Sequence, residues 1–134
     1  MKHKQVMDDI RIREYNSEDY ERIMALWQLT GLSSRKRGDN RRQIEQSLDM
    51  GGRLLIVEDT TNQKIIGTSW MTFDGRRFHL HHIGILPEYR KMGYGTLLTR
   101  ESMKIAKEKG YQIKLEVEAD NTEAIGIYKK LGFK

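Results

Sequence analysis

Ile113, Leu115 and Val117 alternate with Lys114, Glu116 and Glu118, and this period of two predicts a strand over 112–118 with one face buried and the other wet. The same alternation at Ile10 and Ile12, between Arg11 and Arg13, predicts a first strand ending near Tyr15. Tyr20, Ile23, Met24 and Trp27 then recur at helical spacing behind Ser17, an N-cap followed by Glu18 and Asp19 in the first turn. Residues 31–38 read as a polar loop, and Asp39 or Asn40 caps a second helix that carries Ile44 and Leu48 and is stopped by Gly51-Gly52. The apolar run Leu54-Leu55-Ile56-Val57 predicts a strand over 53–59, joined by the turn 60–63 to an antiparallel partner over 64–74. Gly75 turns the chain into a third strand of that meander over 77–86. A helix from about Thr96 to Lys109 is closed by Gly110, and a last helix is capped by Asn121, striped with Ala124, Ile127, Tyr128 and Leu131, and closed by Gly132. Residues 1–8 read as a frayed end. Neither repeats nor a linker occur. The order β-α-α-β-β-β-α-β-α is that of one mixed α/β (α+β) domain over 1–134.

Composition narrows the class. A chain of 134 residues suffices for one domain with a core. With 37% hydrophobic and 32% charged residues it falls in the globular rather than the disordered range. The absence of cysteine excludes disulfides, cysteine metal sites and a thiol nucleophile. The apolar runs are too short for a membrane span, and Asp8-Asp9 interrupts the place where a signal peptide would be apolar, so a cytoplasmic location is the default expectation. The net charge of +5 favours anionic partners. Part of it lies in Arg35-Lys36-Arg37 and Arg41-Arg42, read either as a solvated loop and helix start or as a basic lip over a site. No nucleic-acid motif accompanies these residues, and none of the aromatics is interleaved with them.

The most informative segment runs from the strand end Ile83-Gly84-Ile85-Leu86-Pro87 through Arg90-Lys91-Met92-Gly93-Tyr94-Gly95 into a helix. A strand, a basic glycine-bearing turn and a helix N-terminus together gather backbone N–H groups at the positive end of a helix dipole, where a phosphate or pyrophosphate fits. A dinucleotide fingerprint needs a third glycine where Leu98 stands, and a P-loop needs a lysine that Gly95-Thr96-Leu97 lacks.

The run from Ile83 to Leu98 resembles the acetyl-CoA signature of the GNAT N-acetyltransferases, Arg/Gln-x-x-Gly-x-Gly/Ala after a strand and before a leucine-bearing helix. A second segment, Asn121-Thr122-Glu123-Ala124-Ile125-Gly126-Ile127-Tyr128-Lys129-Lys130-Leu131-Gly132-Phe133, resembles that family's N-x-x-A-x-x-x-Y-x-x-x-G-F. The resemblance implies a mostly antiparallel central sheet flanked by helices, with the strand ending at Ile85 splaying from the strand that begins at Gln112. It implies acetyl-CoA as cosubstrate, its pantetheine arm pairing near Ile83 and Ile85. The amides of Lys91, Met92, Gly93, Tyr94, Gly95 and Thr96 would cradle its pyrophosphate, with Arg90 and Lys91 at the rim, the Thr96 hydroxyl as a further donor and Asn121 on the arm or merely capping its helix.

The implied reaction is acetyl transfer to a primary amine of a small molecule or protein by direct attack in a ternary complex. A lysine-like amine titrates at about 10.4 in water, so a base must take its proton. An N–H near Ile83 to Ile85 would face the developing oxyanion. Tyr128 is the implied acid for the departing thiolate, with a place in the core as its plainer role. His79, His81 and His82 lie on the strand before the glycine turn, and period two puts His79, His81, Ile83 and Ile85 on one side and His82 on the other with Leu80, unless a bulge changes the phase. His79 and His81 are the candidate bases; relatives often use a carboxylate near His79, so a histidine or a water chain stands in here, or the amine arrives neutral. Two histidines on one strand face fall short of a zinc site, and no metal is expected.

The sequence stops at Lys134, where the family continues through two more strands. The expectation is a domain lacking those strands, with 112–118 as an exposed edge, either because the sequence is a piece of a longer one or because a second copy completes the sheet. The alternative to an enzyme is a non-catalytic acyl-CoA-binding or regulatory module. A small basic nucleic-acid-binding domain is the third reading; nucleic acid and membrane are not expected partners.

Overall fold

A computed structural model describes residues 9–30, 40–115 and 122–133. The frayed end at 1–8, the polar loop with Arg35-Lys36-Arg37, the last part of the strand over 112–118 and Asn121 lie outside these residues. Five strands form one sheet in the order β1 (Ile10–Glu14), β2 (Arg53–Asp59), β3 (Lys64–Phe73), β4 (Arg77–Ile85) and β5 (Gln112–Leu115). Every neighbouring pair is antiparallel except β4 and β5, which run parallel. The helices are α1 (Tyr20–Thr30), α2 (Arg41–Asp49), α3 (Tyr94–Lys109) and α4 (Thr122–Lys130), in the expected order.

Two helix starts differ from expectation. Asn16, not Ser17, is the cap ahead of α1: its side chain accepts the Glu18 N–H while Asp19 Oδ2 accepts the Asn16 N–H at 2.9 Å. This reciprocal box outcompetes a serine because Asp19 is itself fixed from behind by arginines. Helix α3 begins two residues before Thr96, since Gly93 at φ +87° makes the left-handed entry that a side chain resists. Asn40 caps α2 by accepting the Gln43 N–H at 2.9 Å, which leaves Arg41 and Arg42 inside the helix. There Arg41 donates to the Ser17 carbonyl at 2.7 Å and lies over the Tyr20 ring.

Helices α1 and α2 cover one face of the sheet and α3 the other. Ile23, Leu26 and Trp27 of α1 and Ile44 of α2 are buried against Ile56 and Trp70. Burying Ile23 or Leu26 stabilises the fold by about 2 kcal/mol each. The indole N–H of Trp70 donates to Ser47 Oγ at 2.9 Å and so pins α2 to β3. On the opposite face Ala106 of α3 packs with Met71, Phe78 and Leu80, and Ser102 shares a buried hydrogen bond of 2.8 Å with Ser69.

Directly opposed residues of an antiparallel pair share a face. The register Trp70↔His81 and Thr72↔His79 therefore sets both histidines on the α1–α2 face, while Leu80↔Met71 points to α3. Between Thr68↔Gly84 and Trp70↔His81, β4 contributes His82 and Ile83 against the single Ser69, a β-bulge with His82 at φ +49°. The bulge corrects the strict alternation. His82 stays with His79 and His81, its ring 4.4 Å from that of Trp27, whereas Ile83 and Ile85 turn toward α3. A three-membered chain holds it: Trp27 Nε1 donates to Thr68 Oγ1 at 2.7 Å, and the Thr68 hydroxyl donates to the His82 carbonyl at 2.8 Å.

Beneath the β1 end of the sheet, Asp19 and Glu58 are buried carboxylates held by arginines. Arg13 donates to Asp19 at 2.8 and 2.9 Å and to Glu58 at 3.3 Å, with Arg22 on Asp19 and Arg11 on Glu58. Burial pushes both carboxyls up, but the arginine hydrogen bonds and charges prevail and hold both below their ordinary values.

Two consequences are measurable. Thr68→Val keeps the shape but strands the buried Trp27 indole, and should lower unfolding stability by about 2 kcal/mol in urea. Because Asp19 and Glu58 titrate lower folded than unfolded, the unfolded chain takes up protons first, and stability should fall as pH drops below about 4. Asp19→Ala, which leaves Arg13 short of its best partner, should cost about 3 kcal/mol at neutral pH and flatten that acid decline.

Candidate active site

The strand end of β4 and the start of α3 bring together most of the residues singled out for a phosphate-bearing ligand. Pro87–Tyr89 forms one 3₁₀ turn, Lys91 sits at φ +65° and Gly93 at φ +87°. A left-handed lysine is strained by roughly 1 kcal/mol, and such strain gathers where the backbone must present itself to a ligand. The first helical bond of α3 is Leu97 N–H to the Gly93 carbonyl at 3.0 Å, and no side chain caps the helix. The amides of Tyr94, Gly95 and Thr96 are therefore the unpaired donors of the first turn. A Cβ built on Gly93 meets nothing within 4 Å, and one on Gly95 only Ile85 Cγ1 at 3.9 Å, so the two glycines stand in uncrowded surroundings. Uncapped donors and a dipole in such surroundings fit the diphosphate of a coenzyme.

The rim differs in detail from expectation. Arg90 turns its Nε to the Ile85 carbonyl at 3.0 Å, tying the turn to the strand end. Lys91 and Met92 are exposed; Tyr94 offers its amide while its ring is buried, with no partner for its hydroxyl among the described residues. Burial pushes the Tyr94 phenol up, so it stays protonated and acts as core.

Strand β5 pairs with β4 only from Arg77↔Gln112 to Leu80↔Leu115. Past Leu80, the β5 side of β4 has no strand partner among the described residues, and this is the stretch that carries Ile83 and Ile85. A close approach sets the other side: a Cβ on Gly67 would stand 2.4 Å from Ile85 Cδ1, so glycine is what lets β3 and the end of β4 pack.

His79, His81 and His82 line the α1–α2 face, with ring centroids 6.2 Å apart for the first pair and 6.5 Å for the second. His81 Nε2 meets Thr72 Oγ1 at 2.9 Å, and His79 Nε2 meets Asp74 Oδ2 at 2.8 Å. The same Asp74 accepts the N–H groups of Arg76 and Arg77, and these bonds hold its carboxyl well below the usual carboxylate range, the His79 contact most of all. Tyr128 lies on α4 with its ring 6.0 Å from Phe133, half-buried, and burial pushes its phenol up. No group of three or more His, Asp or Glu able to hold a metal occurs among the described residues.

Three residues of this region escaped the sequence reading. Trp27 had registered only as core, Thr68 as a strand residue and Asp74 as the end of a strand, whereas the bulge depends on the first two and His79 on the third. The one available signal was Asp74 before Gly75, a pair that marks turns in which aspartate accepts backbone N–H groups.

A profile of the Acetyltransferase (GNAT) family matches residues 12–133. Solved structures of the same shape include a GNAT family acetyltransferase from Elizabethkingia anophelis with acetyl-CoA bound, 22% identical, covering 95% of this chain and 77% of that one at a TM-score of 0.68. The ribosomal-protein-S18-alanine N-acetyltransferase of Escherichia coli is 21% identical over 93% of this chain and 77% of its own, with a TM-score of 0.76. Glucosamine-6-phosphate N-acetyltransferase of Arabidopsis thaliana is 21% identical over 93% and 91%, with a TM-score of 0.74. With that match spanning nearly the whole fold and the glycine turn poised as an anion cradle, the chain belongs to the GNAT family of acetyl-CoA-dependent acyltransferases.

Proposed function

We propose that the chain is an N-acetyltransferase that moves the acetyl group of acetyl-CoA to a primary amine by direct attack while both substrates are bound. The observation that carries this reading is the uncapped N-terminus of α3 beside the end of β4, which has no β5-side strand partner among the described residues. The amides of Lys91 to Thr96, with Arg90 and Lys91 beside them, would hold the diphosphate, and the main chain near Ile83 and Ile85 would pair with the amide-bearing arm. When bound, acetyl-CoA supplies an acyl thioester whose thiolate departs.

The chain's own groups then have two proton tasks. The amine must lose a proton, which His79 or His81 takes directly or through water. The departing sulfur must gain one, which Tyr128 gives; its burial keeps the phenol protonated at neutral pH and also disfavours a bare thiolate nearby. A backbone N–H near Ile83 to Ile85 would face the carbonyl oxygen as it gains charge. Neighbours of the same fold act on a ribosomal-protein alanine and, by its name, on glucosamine 6-phosphate, so both a protein amine and a small amine remain within the acceptor class.

Release of free thiol from acetyl-CoA over a panel of primary amines tests the reading; release no faster than hydrolysis with every amine would count against it. Tyr128→Phe should lower kcat by about 10²-fold while leaving the KM for acetyl-CoA nearly unchanged, as loss of a general acid does. Gly93→Ala should raise the KM for acetyl-CoA and cost about 1 kcal/mol of stability, because the left-handed entry to α3 penalises any Cβ even in open space. Gly95→Ala, at negative φ and with ordinary contact only, should leave stability intact.

A further inference from the structure

The turn between β3 and β4 is built around one carboxylate. Asp74 Oδ1 accepts the Arg76 and Arg77 N–H groups at 2.8 and 2.9 Å, which fixes the side chain and leaves Oδ2 to face His79 Nε2 at 2.8 Å. An ionised carboxylate can only accept, so the proton between them belongs to Nε2. In the neutral imidazole the other nitrogen, Nδ1, is then the lone-pair acceptor. The ring is held nearly parallel to that of His81, at 19°, on the face shared with His82, Trp27 and Trp70.

We propose that Asp74 is a positioning residue for acetyl transfer: it locks His79 as the Nε2–H tautomer and aims Nδ1 as the proton acceptor. The inference rests on the acetyl-transfer reading given above and goes further by choosing His79 over His81 as the base. One proton passes from the acceptor ammonium to Nδ1, directly or through one water, and the nitrogen keeps the electron pair with which it attacks. Asp74 remains ionised throughout.

The charges facing His79 come from each element around it. The turn supplies Asp74 in contact and Arg76 nearby, β4 supplies Arg77 and His81 two positions away on either side, and β5 places Lys114 in register with His79. Thr72, opposite on β3, is uncharged. Among the described residues, Asp74 is the charged group that the His79 ring meets at 2.8 Å.

Asp74→Asn is the informative variant, because its amide oxygen still accepts the Arg76 and Arg77 amides and the turn persists. ¹⁵N spectra of the His79 ring should show the Nε2–H tautomer in the parent protein and a shift toward Nδ1–H in the variant. With it, kcat should fall by about tenfold or more at an unchanged KM for acetyl-CoA. The double variant Asp74→Asn/His79→Gln should be no slower than His79→Gln alone. An unchanged tautomer, an unchanged kcat, or losses that multiply in the double variant would each overturn the proposal. Failure of the acetyl-transfer reading itself would show in the parent protein, as thiol release at the hydrolysis rate, whereas failure of this inference shows only in variants of an active parent.

Discussion

Trp27 carries a buried indole N–H that must find an acceptor, and the acceptor it finds is Thr68 in the middle of the sheet. Because the threonine hydroxyl has one proton to give, it is then free to donate it to the carbonyl of His82. That second bond fixes the bulge, and much of the site follows from it. Without the extra residue, the histidine ring at 82 would be driven toward α3 and Ile83 toward α1. With it, Ile83 and Ile85 join the apolar layer under α3, and His79, His81 and His82 form one polar row on the other face. A non-glycine residue at φ +49° costs roughly 1 kcal/mol, which two buried hydrogen bonds and the Trp27 and Trp70 ring contacts offset.

Strand β4 thereby serves two masters along its length. Its first half, from Arg77 to Leu80, is paired on both sides and anchors β5. Its second half keeps one side unmatched by any described strand and leads within a few residues to the N-terminus of α3. Main-chain groups along a strand end without a β5-side partner among the described residues, followed by uncapped amides at a helix start, suit a long ligand with amide groups in its arm and charge at its end. The strained Lys91 and the left-handed Gly93 keep those amides turned outward, and Arg90 fastens the turn by its bond to the Ile85 carbonyl.

What could be read from the sequence was whatever is local or periodic. The glycine turn, the order of elements, the Asn40 cap and the split between Leu80 and His81 rest on neighbours within a turn of helix or a step of strand. The phase of β4 after His81 was not legible, because period two carries no mark of a bulge whose cause lies 14 residues back at Thr68 and, through it, 41 residues further at Trp27. The Asn16 cap was hidden for a related reason: Ser17 is an equally good capping residue, and only the placement of Asp19 under Arg13 and Arg22 decides between them. Residue type and motif single out His79 and Tyr128 as candidates but not the partner of His79, since nothing in the run of residues says which oxygen of a turn aspartate will be left over.

A histidine where relatives often carry a carboxylate also has a physical logic in this setting. For a carboxylate to accept a proton from an amine near neutrality, its environment must raise it by burial or by negative neighbours. The His79 position is open, its side chain 29% exposed and flanked by Arg77 and Lys114, and the carboxylate it does contact, Asp74, would there sit against a second one. Two carboxylates so close repel, so a carboxylate there would lose the fixed, ionised partner that an imidazole keeps. Imidazole titrates near neutrality without any such help, and what it needs instead is a fixed tautomer and a counter-charge. Asp74 can supply both because two backbone amides keep it ionised and in place, however open to solvent the turn is. On the proposed role of His79, the burden of tuning would move from burying the base to orienting it, and a short, exposed hairpin turn is enough for that.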